Sequence, residues 1–79
     1  MITIYVHIEG LETTVLDVEA LPNPGDTSII GRNPRKRDGK DVDYLQQGVN
    51  TIILPMRRIV FIEVFTDERE EEFETFIRE

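Results

Sequence analysis

Two apolar segments separated by a tight connection occupy residues 51–65, whose sequence is TIILPMRRIVFIEVF. The first segment predicts a strand over 51–54, and the second, over 58–65, is apolar at almost every position and is interrupted only by Glu63. A strand with this composition is typically covered on both faces. Alternation along it places two sets of side chains on opposite sides, namely Ile59, Phe61 and Phe65 against Val60, Ile62 and Val64. In so short a chain, two-sided coverage requires a closed barrel packed by a helix, a neighbouring subunit, or both.

The residues before this region predict a β-hairpin. From Ile2 to Glu9 apolar and polar residues alternate strictly, as in a half-buried strand. Gly10 can adopt positive φ, so the segment 13–21 is expected to fold back on the first strand. The side chains of this second strand that should face the core are Leu16, Val18 and Ala20.

A strong turn and a long loop separate the hairpin from the apolar segments. Residues 22–26, Pro-Asn-Pro-Gly-Asp, cannot continue a strand and predict a turn. A third short strand is expected over 27–31, followed by a long basic loop over 32–48 with repeated turn residues. Asp38-Gly39 suits the tip of a β-ribbon. Three residues of the loop are candidates for packing against the domain: Val42, Tyr44 and Leu45.

The last residues, 67–79, predict a short acidic α-helix, because acidic side chains fall at the positive end of the helix dipole. Phe73, Phe76 and Ile77 share one side of this helix and are expected to dock on the strand face carrying Phe61 or Phe65. The predicted fold is therefore mainly β: a small, strongly bent, five-stranded antiparallel barrel over 1–65 with a short C-terminal helix, together a single domain over 1–79.

The order of these elements, and above all the pair Ile-Ile-Leu-Pro (52–55) and Ile-Val-Phe-Ile-Glu-Val (59–64), resembles the Sm-like family of small β-barrels. The resemblance covers residues 2–65. It implies that the edges formed by the last two strands pair between neighbouring subunits and close rings. It also implies that loops at one end of the barrel bind single-stranded RNA.

Three features depart from that family. No glycine occupies the middle of residues 13–21, where the family bends its second strand. The family's RNA-contacting Arg-Gly dipeptide is missing, since Arg57 and Arg58 are followed by Ile59. Asn23 is the position that resembles the family's base-contacting asparagine, but its neighbours do not match. These departures weaken the expectation of RNA binding more than the expectation of the fold.

Charge is distributed unevenly along the chain. The net charge of −7 disfavours nucleic acid as a partner, because nonspecific binding depends on neutralising phosphates. Five of the nine basic residues nevertheless lie between 32 and 40, and the acidic excess lies between 67 and 79. Three interpretations of Arg35-Lys36-Arg37 stay open: a solvated loop tip, a partner for an acidic tail of the same or a neighbouring chain, and a phosphate contact.

No catalytic, metal or cofactor site is predicted. His7, the sole histidine, falls on the outward face of the first strand and is expected to be solvated. Ser28 belongs to no nucleophile motif, and the acidic residues from 38 to 43 lack the spacing of a calcium loop. Without cysteine there is no disulfide and no thiolate zinc site. No apolar run reaches the roughly 20 residues that cross a bilayer, so we expect a cytoplasmic protein with no membrane partner. Because no catalytic motif is recognised, we also expect that the protein is not an enzyme.

Two functional hypotheses follow from these patterns. The leading one is a structural or interaction module that forms a homo-oligomer, or contacts another protein, through the strand over 58–65. Its expected interface residues are Ile59, Val60, Phe61, Ile62, Val64 and Phe65. The alternative is a module that binds RNA or another single-stranded nucleic acid, with Tyr44 as a stacking surface. Its expected anion contacts are Arg32, Arg35, Lys36, Arg37, Lys40, Arg57 and Arg58.

Overall fold

The computed structural model describes residues 1–65, and the predicted acidic helix over 67–79 lies outside them. Within this region there are five strands and one 3-10 turn: β1 (Ile2–Ile8), β2 (Thr14–Val18), β3 (Ser28–Arg35), β4 (Thr51–Pro55), the turn (Met56–Arg58) and β5 (Ile59–Val64). The mainly β prediction is confirmed. Among the described residues no helix is long and apolar enough to span a membrane.

The five strands form one antiparallel sheet in the order β4-β3-β2-β1-β5, curled into a half-barrel. The two strands latest in sequence among residues 1–65, β4 and β5, therefore form the two edges of the sheet. Within residues 1–65 these edges do not pair with each other, so the sheet is open. The 3-10 turn spans the gap, with the Met56 N–H donating to the Thr27 carbonyl and the Glu9 N–H donating to the Arg58 carbonyl.

The core fills the concave side of the sheet. Ile4 and Val6 of β1 and Leu16 of β2 are fully buried, since the alternation predicted for the first hairpin brings them to one face. The other members of this cluster are Ile8, Val18, Ile29 and Ile52. Ala20, which was expected to join them, is exposed because β2 ends at Val18.

The loop between β3 and β4 folds over this core. Val42 is buried, and Tyr44 and Leu45 pack against the cluster, which confirms the three packing residues predicted for the loop. The Tyr44 hydroxyl forms a hydrogen bond with the hydroxyl of the buried Thr14. Burial raises the pKa of Tyr44; the hydrogen bond with Thr14 acts against this rise, and the nearby charge of Glu12 adds to it. Tyr44 is therefore a partly buried residue that packs against the core.

The strand β3 is longer than predicted, because Asn33-Pro34 does not end it. Asp17 of β2 lies opposite Arg32 and Val15 lies opposite Arg35, so β3 carries an extra residue in a β-bulge. Asn33 adopts a φ of 54° there, and the bulge accommodates a proline that a regular ladder would exclude. The basic loop predicted over 32–48 consequently begins only after residue 35.

A second bulge changes the predicted faces of β5. Ile8 lies opposite Ile59, whereas His7 lies opposite Phe61, which leaves Val60 as the extra residue. Ile59 therefore packs against the core cluster, while Phe61 lies on the outer face beside His7. The prediction that Ile59 and Phe61 share a side is wrong, because strict alternation takes no account of a bulge.

Candidate functional site

The edge strand β5 exposes a group of apolar side chains. Val60 is 64% exposed, Phe61 52% and Phe65 56%, and Val64 is also exposed. Ile59 and Ile62 instead pack against the core. The predicted coverage of β5 on both faces is therefore not provided by residues 1–65. We call Val60, Phe61, Val64 and Phe65 the β5 edge.

The opposite edge of the sheet is apolar as well. Ile53 of β4 is 66% exposed and lies directly opposite Ile30 of β3, which is 59% exposed. In the described part of the chain both edges thus leave backbone hydrogen-bonding groups unpaired beside exposed apolar side chains. Edges of this kind are templates for pairing with another strand.

His7 holds the outer face of β5 in place. Its ring stacks on Phe61 with the ring centroids 4.1 Å apart, and its Nε2 lies 2.6 Å from Oε1 of Glu63. The Thr13 hydroxyl lies 3.1 Å from its Nδ1. The His7 side chain is 23% exposed and is engaged on three sides, so the expectation of a freely solvated histidine is wrong. These contacts tie β1 to β5 and fix the orientation of Phe61.

A half-buried ion pair lies at the end of β3. Both terminal nitrogens of Arg35 donate to the carboxylate of Asp17, at 3.2 Å each. The Thr3 hydroxyl and the Asn33 amide donate to the same carboxylate at 2.9 and 3.2 Å. Burial acts to raise the pKa of Asp17, but the hydrogen bonds from Arg35, Asn33 and Thr3 and the charge of Arg35 lower it overall. Arg35 is therefore occupied by an internal partner.

The remaining basic residues of this region divide into two groups. Lys36 lies 3.3 Å from Asp43 and 4.0 Å from Glu12. The hydrogen bond to Asp43, with the charges of Asp43 and Glu12, raises the pKa of Lys36. Arg37 and Lys40 are exposed and form no salt bridge with any residue of 1–65. Arg37 lies in the turn in which the Gly39 N–H donates to the Lys36 carbonyl, and Lys40 follows this turn. No strand lies among the described residues 36–50 between β3 and β4, so the β-ribbon predicted with Asp38-Gly39 at its tip does not form.

A groove of about 320 Å³ lies between this turn and the outer face of the sheet. Its basic wall is formed by Arg35, Lys36 and Arg37. Its aromatic wall is formed by Tyr5 and Phe65, whose rings meet edge to face with centroids 4.5 Å apart. The remaining lining residues are Thr3, Val15 and Gly39. We call this feature the basic groove.

The other predicted anion contacts lie elsewhere. Arg32 pairs with Glu19 at 3.4 Å on the surface. Arg57 and Arg58 belong to the 3-10 turn beside the start of β3, and Arg58 lies 3.9 Å from Glu9. Arg35 lies at the end of β3, whereas Arg57 and Arg58 lie beside its start. The length of an eight-residue strand, about 25 Å, therefore separates Arg57 and Arg58 from Arg35. A single chain therefore does not bring Arg57 and Arg58 into the basic groove.

Sequence reasoning missed Tyr5 and Asp17 as residues of this region. The alternation of β1 does place Tyr5 and Thr3 on the outer face, but no local signal shows that Phe65 and residues 35–39 return to them. Among residues 1–65 no three His, Asp or Glu side chains come together as metal ligands. The prediction that metal and cofactor are absent stays a prediction.

Comparison with known proteins adds no family assignment. No protein-family model, curated protein or solved structure matches the chain.

The ion pair between Asp17 and Arg35 should make the stability of the protein depend on pH. The Asp17→Asn variant is expected to lose about 1–2 kcal/mol of stability at neutral pH, because it weakens hydrogen bonds to a charged and largely shielded carboxylate. Since folding lowers the pKa of Asp17, its contribution is complete above the unfolded value of 3.8 and is lost as the pH falls through the folded value. Urea unfolding of both proteins from pH 7 to pH 2 should show the difference shrinking on acidification.

Glu19→Gln is the matched control for this prediction, since it removes the exposed partner of Arg32. We expect it to leave the unfolding midpoint unchanged at every pH. If the free energies of unfolding of the wild type and Asp17→Asn differ by the same amount at pH 2 and pH 7, the assigned role of Asp17 is contradicted.

Proposed function

We propose that the protein is a non-enzymatic interaction module that self-associates through β5, whose edge pairs with β4 of a neighbouring copy. The observation that carries this proposal is the exposure of Val60, Phe61 and Val64 along a strand whose outer edge is unpaired within residues 1–65. Covering such an edge removes both unpaired backbone groups and apolar surface from water.

The exposed apolar character of β4 supports a pairing between different edges. Ile53 is exposed to a similar degree as Val60, so the two edges are matched in hydrophobicity. A contact between two different surfaces is head-to-tail, and it generates a ring when the rotation between copies closes. The curl of the sheet favours such a rotation, because successive copies cannot stack as a flat array.

The small size of the domain also favours association. A chain of 79 residues without cysteine has a limited core and no covalent cross-link. A neighbouring strand would extend the core of each copy across the gap that the 3-10 turn spans. The arrangement in which the last two strands form the two edges agrees with the Sm-like resemblance, and we propose that the half-barrel is of that type.

The Val60→Asp variant tests the proposed interface. Val60 is mostly exposed and its substitution leaves the core intact, so the variant is expected to fold but to place a charge on the pairing edge. We expect its mass in solution, measured by light scattering after size-exclusion chromatography, to fall to that of one 9.2 kDa chain.

Leu21→Asp is the control, because Leu21 is 45% exposed but lies in the loop after β2. It should keep the mass of the wild-type oligomer. A Val60→Asp protein that retains the wild-type mass, or a loss of association in both variants, would argue against β5 as the interface.

A further inference from the structure

The basic groove and the acidic end of the chain are complementary in charge. Residues 66–79 carry seven acidic and two basic side chains, whereas residues 1–65 carry nine acidic and seven basic ones. Five of the seven net negative charges of the protein thus belong to the last 14 residues. We propose that these residues dock in the basic groove of their own chain.

The position of Phe65 gives this segment immediate access to the groove. Phe65 forms part of the aromatic wall, and the acidic segment begins at the next residue. Five extended residues span at most about 17 Å, so Glu68 to Glu72 can reach the basic wall opposite Phe65. Because the segment is covalently attached, its effective concentration at the groove far exceeds that of a free ligand.

The chemistry of the two walls matches the composition of the segment. Arg37 is exposed and has no acidic partner among residues 1–65. Lys36 forms an ion pair with Asp43, whose side chain is itself largely exposed. The guanidinium of Arg37 and the ammonium of Lys36 can donate hydrogen bonds to carboxylates. Tyr5 and Phe65 provide aromatic surface above Val15, which is nearly buried at the floor of the groove. The segment carries Phe73 and Phe76 between its glutamates and can use both walls.

Nucleic acid is the less favoured occupant of the same groove. Arg35 is held by Asp17, so Arg37 and the partly engaged Lys36 supply few positive charges to neutralise a phosphate backbone. Arg57 and Arg58, which would extend a nucleic-acid path, lie at the other end of β3. The net charge of −7 opposes the approach of any polyanion.

Paramagnetic broadening in the full-length chain tests the docking. The protein has no cysteine, so Thr75→Cys allows a single spin label that leaves every acidic side chain in place. We expect strong broadening of the amides of Arg37 and Gly39 and little of Thr27 and Ser28, which lie at the other end of the sheet. Broadening should fall several-fold in 1 M salt, where the screening length is about 3 Å.

Two arginine variants provide the matched comparison. Arg37→Glu should remove the broadening at Gly39, whereas Arg57→Glu, which changes charge equally but outside the groove, should preserve it. Equal effects of the two substitutions would overturn the proposal, because they would reflect net charge alone. Broadening spread evenly over the sheet would overturn it as well.

Two further outcomes separate this proposal from its alternatives. Mixing spin-labelled chains with isotope-labelled unmodified chains should give no broadening, and broadening there would assign the groove to a neighbour's segment instead. The measurement is repeated in the Val60→Asp background, so a failure of self-association does not affect it. Saturable shifts of Arg37 and Gly39 in the wild type on adding a ten-nucleotide uridine RNA at low salt would assign the groove to nucleic acid.

Discussion

Replacing Gly31 by alanine is expected to destabilise the protein by about 1–3 kcal/mol, although the change adds one methyl group. A Cβ at position 31 would lie 2.7 Å from Cδ1 and 2.9 Å from Cβ of Leu16. Leu16 is fully buried, and because protein cores are closely packed, its displacement is expected to disturb its neighbours. For a domain of this size the change corresponds to a fall of roughly 10 °C in melting temperature.

Gly25→Ala is the control for this substitution. No atom lies within 4 Å of the Cβ that it would add, and Gly25 lies in a turn without positive φ. It should be neutral or slightly stabilising, since alanine restricts the unfolded chain. Thermal unfolding by circular dichroism measures both variants.

A double-mutant cycle identifies the cause. Leu16→Ala removes Cδ1 and Cδ2, which would lie 2.7 and 3.0 Å from the added methyl group, but keeps Cβ. Gly31→Ala should therefore cost less stability in a Leu16→Ala background than in the wild type, without becoming neutral. Two results would contradict the close contact between Gly31 and Leu16. One is a Gly31→Ala protein with the melting temperature of the wild type, and the other is a loss of stability that is the same in both backgrounds.

The strands could be predicted from the sequence because each depends on a local pattern. Strict alternation from residue 2 to residue 9 defines β1, and the Pro-Gly turn over 22–26 separates β2 from β3. The packing of Tyr44 and Leu45 could also be anticipated, since they are apolar residues in an otherwise polar loop. Such signals require no knowledge of the tertiary structure.

The bulges could not be predicted, because they depend on pairing between distant strands. Asn33-Pro34 has the composition of a turn, and only its pairing with β2 keeps it within β3. Val60 has no composition that distinguishes it from its neighbours, yet its bulge determines the face of Ile59. The error in the faces of β5 follows directly from this.

The basic groove was predicted in part. The basic cluster over 35–37 is evident in the sequence. Which of its residues is engaged in an ion pair and which is exposed depends on Asp17, 18 residues away from Arg35. The aromatic wall requires Phe65 to pack on Tyr5 across 60 residues of chain. Local patterns do not encode contacts of that separation.

The second large effect concerns how the two edges of the sheet combine. If β5 of one copy pairs with β4 of the next, a charge on either edge should abolish association, so Val60→Asp and Ile53→Asp should each be monomeric. Both side chains are mostly exposed, and neither substitution is expected to unfold the protein. Circular dichroism spectra that match the wild type would confirm that both variants are folded.

Each of these variants retains one intact edge. Val60→Asp keeps a functional β4, and Ile53→Asp keeps a functional β5, so the two proteins together contain one complete interface. An equimolar mixture should therefore form a heterodimer that cannot grow, because both of its outer edges carry a charge. Pairing of β5 with β5 would instead leave Ile53→Asp associated on its own.

The most direct measurement is the mass of the wild type, of the two variants and of their mixture by native mass spectrometry. The proposed pairing predicts a wild-type oligomer, single 9.2 kDa chains for each variant, and a mixture at twice that mass. A wild type that stays at 9.2 kDa at all concentrations, or a mixture that contains only single chains, would contradict association between β5 and β4.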